Sequence, residues 1–120
     1  MRKRAEKMKT YVGERDATYG WQVNIYDDQT KRIYALDPKP SQRINNHSPD
    51  GFSWGYGGSG PAQLALAILL DVYRDETIAT ENYQDFKWNV IARLNQDSGF
   101  ELTEQQVREA LDDIAKEKQA

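Results

Sequence analysis

The chain has 120 residues, 38% of them hydrophobic, a net charge of −3 and no cysteine. That length suits one domain built on one core, and the composition excludes disulfides and thiol chemistry. No apolar run approaches the roughly 18–20 residues of a membrane span, the first residues lack the apolar region of a signal peptide, and the negative balance argues against general nucleic-acid binding, which shows as a basic face. A cytoplasmic protein with no membrane partner is expected.

The charge is unevenly spread. Residues 1–10 hold Arg2, Lys3, Arg4, Lys7 and Lys9 against Glu6, a net of +4, which leaves −7 for the other 110. Residues 1–9 read as a basic N-terminal arm, the one place where nucleic acid or an acidic partner finds a foothold, although short charged ends are commonly just solvated. Residues 10–120 read as a single domain.

From Thr10 the pattern is β. Tyr11-Val12 opens a strand. Trp21, Val23 and Ile25 alternate with Gln22, Asn24 and Tyr26, the period of a half-buried strand. Asp27 to Lys31 makes a polar turn, and Arg32 to Leu36 returns, so residues 21–36 are a hairpin. Asp37-Pro38-Lys39-Pro40 stops it, because each proline removes a ladder donor. Residues 41–51 read as a loop with a turn at Pro49-Asp50-Gly51. Phe52 to Trp54 read as a short last strand.

Next comes the stretch on which the chain turns. Four of its eight glycines fall between Gly55 and Gly60, and Gly60-Pro61 looks like a helix start, since proline suits the first helical position. Ser59 or Gly60 is the expected N-cap, with Gln63 close behind to help satisfy free amides. Between Ala62 and Leu70 only Gln63 is polar, and a helix apolar all round is a buried one. Its N-terminus carries free N–H groups and a partial positive charge, which suits an anion. The spacing Gly55-x-Gly57-x-x-Gly60 matches a dinucleotide fingerprint in form only. No parallel strand with a terminal acidic residue follows, and no Gly-Lys-Ser/Thr makes it a phosphate loop of the Walker kind. Packing beside Trp54 and Tyr56 is the plainer reason for these glycines.

The remainder is α. Ala79, Tyr83, Phe86, Val90 and Leu94 recur at helical spacing behind Asp75 or Thr77 as cap. Thr103-x-x-Gln106 is a capping box, and Val107, Ala110, Leu111 and Ile114 make a third stripe. The expected class is α+β: a small antiparallel sheet from an N-terminal strand plus a hairpin, then a buried central helix and two amphipathic helices.

Catalytic chemistry is thinly represented. His47 is the only histidine, and alone it makes no familiar zinc site. It would form a nucleophile–base pair with Ser59 if the loop folded back, but Gly58-Ser59-Gly60 is one residue short of the nucleophile elbow. Asp71 and Asp75 either pair with Arg74 or Lys87 or are simply solvated. Arg15 and Arg43 are the guanidinium candidates for an anion at the helix start. Trp21, Trp54, Tyr56, Tyr11 and Tyr34 make either core or a stacking and hot-spot face, and Tyr56, flanked by glycines, is the one expected to be exposed.

Asn46-His47-Ser48-Pro49-Asp50-Gly51-Phe52 with Trp54-Gly55-Tyr56-Gly57-Gly58-Ser59-Gly60-Pro61-Ala62-Gln63-Leu64-Ala65 resembles the signature of an uncharacterised family of small domains, scattered through phage, plasmid, bacterial and archaeal genomes. The likeness extends to Tyr11-x-Gly13-x-Arg15, Tyr83-Gln84-x-Phe86-Lys87 and Phe100-x-Leu102-Thr103. The resemblance implies an accessory protein of a mobile element and brings no catalytic residue with it. The basic start departs from the signature.

Two functions follow as expectations. The first is a non-enzymatic binding protein of a phage or plasmid that sequesters or inhibits a host component. The second is binding or processing of a nucleotide or phosphate ligand at the Gly55–Gly60 loop. Arg15, His47, Trp54, Gly55, Tyr56, Gly57, Gly58, Ser59, Gly60 and Gln63 are the candidate contacts, with a host protein or a small anion as partner and no metal or cofactor.

Overall fold

In the computed structural model, which describes residues 8–18 and 20–119, the alternating apolar positions fall on one face of a four-stranded antiparallel sheet. Its strands are β1 (Lys9–Asp16), β2 (Gly20–Asp27), β3 (Arg32–Ala35) and β4 (Phe100–Thr103), in the order β3-β2-β1-β4. Tyr11 of β1, Val23 and Ile25 of β2, and Phe100 and Leu102 of β4 point inward and are buried. The register sets Tyr11 opposite Ile25 on one side and Leu102 on the other. Residues 1–7, most of the basic arm, lie outside the described residues. Lys9 itself already belongs to β1, two residues ahead of the start read from the sequence.

Four helices complete an α+β fold: α1 (Lys39–Ile44), α2 (Ser59–Tyr73), α3 (Glu76–Asn89) and α4 (Glu104–Gln119). Every residue of α2 from Gly60 to Leu69 is buried, as an all-apolar helix must be. Its far end is tied to the sheet, where the Tyr11 hydroxyl donates to the Asp71 carboxylate, which also pairs with Lys9 at 3.2 Å. Asp71 thus serves β1 rather than Arg74 or Lys87. The turn into α3 is tight. Arg74 takes the left-handed conformation that closes α2, and Asp75 caps α3 by accepting from the Ile78 amide. A short 3-10 turn, Ile91–Arg93, follows α3. Thr103 and Gln106 exchange the two hydrogen bonds of a capping box at the start of α4.

Three expectations are corrected. The last strand is Phe100–Thr103, between α3 and α4, and Phe52–Trp54 pairs with no strand. The sheet therefore closes only after α3, and β4 gains its partners by pairing with β1 across most of the chain. Residues 41–44, read as the start of a loop, belong to a helix that begins at Lys39. Pro38 and Pro40 stop the hairpin as expected, but proline is equally at home in a first helical turn. Finally, the cap of α2 is Gly58; Ser59 and Gly60 are already helical and Pro61 is the third helical residue.

Candidate binding site at the glycine loop

The loop that delivers α2 is held from beneath by Trp54. This side chain is fully buried between Trp21 and Phe100, edge-on to both at 4.7 and 4.9 Å, and its indole N–H donates to the Ser98 carbonyl at 2.9 Å. Trp54 is thus core. Gly55 follows with φ of +89°, a conformation that favours glycine, and its N–H donates to the Ile91 carbonyl. A Cβ there would meet the Gln96 backbone at 2.6–2.7 Å. At the other end of the loop, a Cβ on Gly60 would stand 1.8 Å from the Ser53 Oγ, which itself bonds the Tyr56 hydroxyl. The glycines therefore let the chain press against the end of α3 and against itself, the packing role that the sequence suggested.

Between these pins the loop is open. Among the described residues the N–H groups of Tyr56, Gly57, Gly58, Ser59 and Gly60 donate to no protein acceptor, and Gly58 supplies no side chain to cap α2. Pro61 has no N–H, and the Ala62 amide returns to the Gly58 carbonyl. A run of five free amides at a helix start is a concentration of partial positive charge.

Gln63 plays a different part from the one expected. It is fully buried, and its Oε1 accepts from the backbone amides of His47 and Ser48 at 2.7 and 2.9 Å. Its Nε2 donates to the Ser41 Oγ and the Asn45 carbonyl. It satisfies the chain that precedes the loop, not the amides of its own helix. His47 is thereby fixed, and its Nε2 lies 2.7 Å from the Tyr83 hydroxyl of α3. The imidazole is engaged with Tyr83, not with Ser59, so the nucleophile–base pair is not assembled.

Arg15 stays at the margin. Its guanidinium stacks over Trp21 at 4.4 Å and donates to the Gln96 carbonyl at 2.8 Å and to exposed Asp97. Arg43 is exposed on the last turn of α1. An open cleft of about 520 Å³ runs along the start of α2 on the Trp21 side, walled by Asp50, Phe52, Ser53 and Tyr56.

Trp88 of α3 also reaches the loop, with Lys87 beside it. Trp88 is 55% exposed, and its six-membered ring lies so close to Gly57 that a Cβ there would be 2.2 Å from it. The Lys87 Nζ sits 4.3 Å from the centre of the same indole. Lys87 is only 7% exposed, and among the described residues it makes no hydrogen bond or ion pair.

A model of a family of unknown function (DUF6166) matches residues 11–113. The chain belongs to that family. No curated protein and no solved structure matches the chain. The DUF6166 match runs from β1 into α4 and so takes in the loop, Gln63, His47, Tyr83, Lys87 and Trp88 together.

Of the candidates in this DUF6166 chain, Tyr56, Gly57, Gly58 and Ser59 form the open loop, Trp54, Gly55, Gly60 and Gln63 its foundation, His47 a strut to α3, and Arg15 a peripheral clamp. Trp88 against Gly57, and the burial of Lys87 beside it, escaped the sequence reading. The signal was present: Lys87 follows Tyr83 by four on the apolar stripe of α3, where a lysine is out of place.

Among the described residues no group of three or more His, Cys, Asp and Glu is placed to hold a metal, and no helix is long and apolar enough to cross a membrane.

Proposed function

We propose that this chain is a non-enzymatic binding protein that docks a partner protein through Tyr56 and Trp88. The observation that carries this reading is the exposure of two large aromatics, 41% and 55%, on either side of Gly57 on a fixed loop. Tryptophan and tyrosine are the residues that most often dominate protein interfaces. The Tyr56 hydroxyl is held by Ser53, so little freedom of that side chain remains to be lost on binding. The engagement of His47 with Tyr83 supports a role without turnover. The spread of the resembling signature through phage and plasmid genomes supports an accessory factor of a mobile element, acting in the host cytoplasm on a host protein, with a defence component as the first partner to test.

The test is capture from host lysate by three immobilised proteins: wild type, the Tyr56→Ala/Trp88→Ala double variant, and Ile33→Ala, which removes an exposed side chain on edge strand β3. A stoichiometric partner held by wild type and Ile33→Ala but lost by the double variant is the expected result. A partner held equally by all three, or none held by wild type, overturns the reading.

A further inference from the structure

We infer that this chain pairs with a second copy of itself along the free edge of β3, antiparallel and about a two-fold axis at Tyr34. The inference uses none of the residues of the docking surface proposed above.

An edge strand offers alternate backbone groups to whatever lies beside it. The ladder behind β3 fixes which ones. The Leu36 amide donates to the Val23 carbonyl, continuing the register in which Tyr34 faces Ile25 and Arg32 faces Asp27. Residues 32, 34 and 36 therefore bond β2, and the N–H and C=O of Ile33 and Ala35 point away from the sheet. All four residues of β3 are exposed. The other edge is less open. On β4 the outward residues are Glu101 and Thr103, and the Thr103 amide is taken by the Gln106 Oε1 at the start of α4.

The second copy is the occupant that the charges fit. The β3 segment is basic at one end, Lys31-Arg32, and acidic at the other, where Asp37 and Glu76 stand with Arg74. Such a strand is complementary to its own antiparallel copy, and a two-fold axis makes the match twice. With the axis at Tyr34, Ile33 exchanges backbone hydrogen bonds with Ala35 of the second copy, and Lys31 comes opposite its Asp37. An axis at Ala35 would bring Lys31 toward Lys39, and one at Ile33 would set it against Ala35. Lys31 now pairs only with exposed Asp28, a contact cheaply exchanged.

The side chains agree with this register. Ile33, 61% exposed, gains Ala35 of the second copy as its cross-strand neighbour on the outer face. On the helix side, an open hollow of about 510 Å³ lies between β3 and the far half of α2, with Ile25, Leu36, Ala67 and Leu70 in its walls. An added strand fills such a space with its inward side chains. Tyr34 shares the face of buried Ile25, so the inward side chain brought to the hollow is Tyr34 of the second copy.

The experiment follows wild-type protein by sedimentation velocity from micromolar to millimolar concentration, with backbone amide exchange read at both extremes. The expected result is a monomer–dimer equilibrium, with slower exchange at Ile33 and Ala35 in the concentrated sample. Ala35→Pro removes an outward N–H and no bond to β2, so it is expected to weaken association at least about tenfold. Lys31→Glu and Asp37→Lys are each expected to weaken it, and an equimolar mixture of the two to restore it, since both cross-strand pairs are then opposite in charge. A wild type that sediments as one chain throughout overturns the inference and leaves the edge to another protein's strand or to solvent. A dimer that survives Ala35→Pro overturns it too, as does one lost only in Tyr56→Ala/Trp88→Ala, which would place the contact at the glycine loop. A mixture that restores nothing overturns the register. Should a variant not fold, wild-type exchange at Ile33 and Ala35 decides.

Discussion

The Nε2 of His47 lies 2.7 Å from the hydroxyl of Tyr83, joining the segment before the glycine loop to the middle of α3. Asn45 reaches the same hydroxyl more weakly, at 3.4 Å. With the imidazole committed to a tyrosine, its contribution is to stability. Tyr83→Phe keeps the buried ring and removes only the hydroxyl, so a loss of about 0.5–1.5 kcal/mol is expected. His47→Ala should couple to it in a double-mutant cycle by a similar amount. Urea unfolding of the four proteins checks this, and additive losses would show that the contact stabilises nothing.

The loop glycines should differ in cost, in an order the geometry sets. Gly55→Ala combines a left-handed φ with an immovable obstacle, the Gln96 backbone. Gly60→Ala meets chiefly the Ser53 Oγ, and Gly57→Ala meets a Trp88 ring at the surface, which can swing aside. The expected order of destabilisation is Gly55 above Gly60 above Gly57, with Gly60→Ala near the roughly 1–3 kcal/mol typical of overpacking. Ser53→Ala should recover part of the Gly60→Ala loss. Chemical denaturation of the series is the measurement, and equal costs at the three positions would contradict the packing described.

How much of this was legible beforehand follows from where the information lies. The hairpin, the buried α2 and the Thr103–Gln106 box are local patterns that appear where the sequence put them, and the cap of α3 is Asp75, one of the two residues it offered. β4 was not legible. Phe100 to Thr103 is four residues long and forms a strand only because β1 lies alongside, more than eighty residues earlier in the chain. α1 was hidden for a related reason. Its few residues are secured by a tertiary bond, Ser41 to Gln63, which no local preference announces. At the site, the loop was readable from its glycines and the free amides from the helix start at Gly60-Pro61. The approach of Trp88 to Gly57 was not, because it depends on how α3 packs against α2.

Gln63 should be among the least replaceable polar residues in the chain. It answers four groups at once: the amides of His47 and Ser48, the Asn45 carbonyl and the Ser41 hydroxyl. Gln63→Leu matches the apolar run around it yet strands partners in a buried place, where each unmet group costs about 1–3 kcal/mol. A net loss of roughly 2–4 kcal/mol is expected, some of the groups regaining water as residues 45–48 loosen. Faster amide exchange at His47 and Ser48, alongside a lowered urea midpoint, would confirm that the segment comes free. Unchanged exchange there would show that Gln63 is not what holds it.

Tyr11 gives the fold a predictable weakness at high pH. Burial, reinforced by the Asp71 carboxylate that its hydroxyl bonds, pushes its pKa far above the ordinary tyrosine range. The native protein therefore keeps this proton at pH values where the unfolded chain, titrating near about 10, has released it. Above that pH the native state binds more protons than the unfolded state, so stability falls as pH rises, by up to about 1.36 kcal/mol per pH unit for this residue. At neutral pH the contribution is fully present and flat. Tyr73, raised by its own partial burial, adds to the same alkaline loss. Tyr11→Phe should be less stable than wild type at pH 7 by about 1.5–3 kcal/mol, the range for a hydrogen bond to a charged group. That gap should narrow steadily between about pH 9 and 11, because the phenylalanine protein has no such proton to lose. Urea midpoints of the two proteins across that range provide the check. Parallel curves would mean that Tyr11 ionises no differently in the folded and unfolded chains.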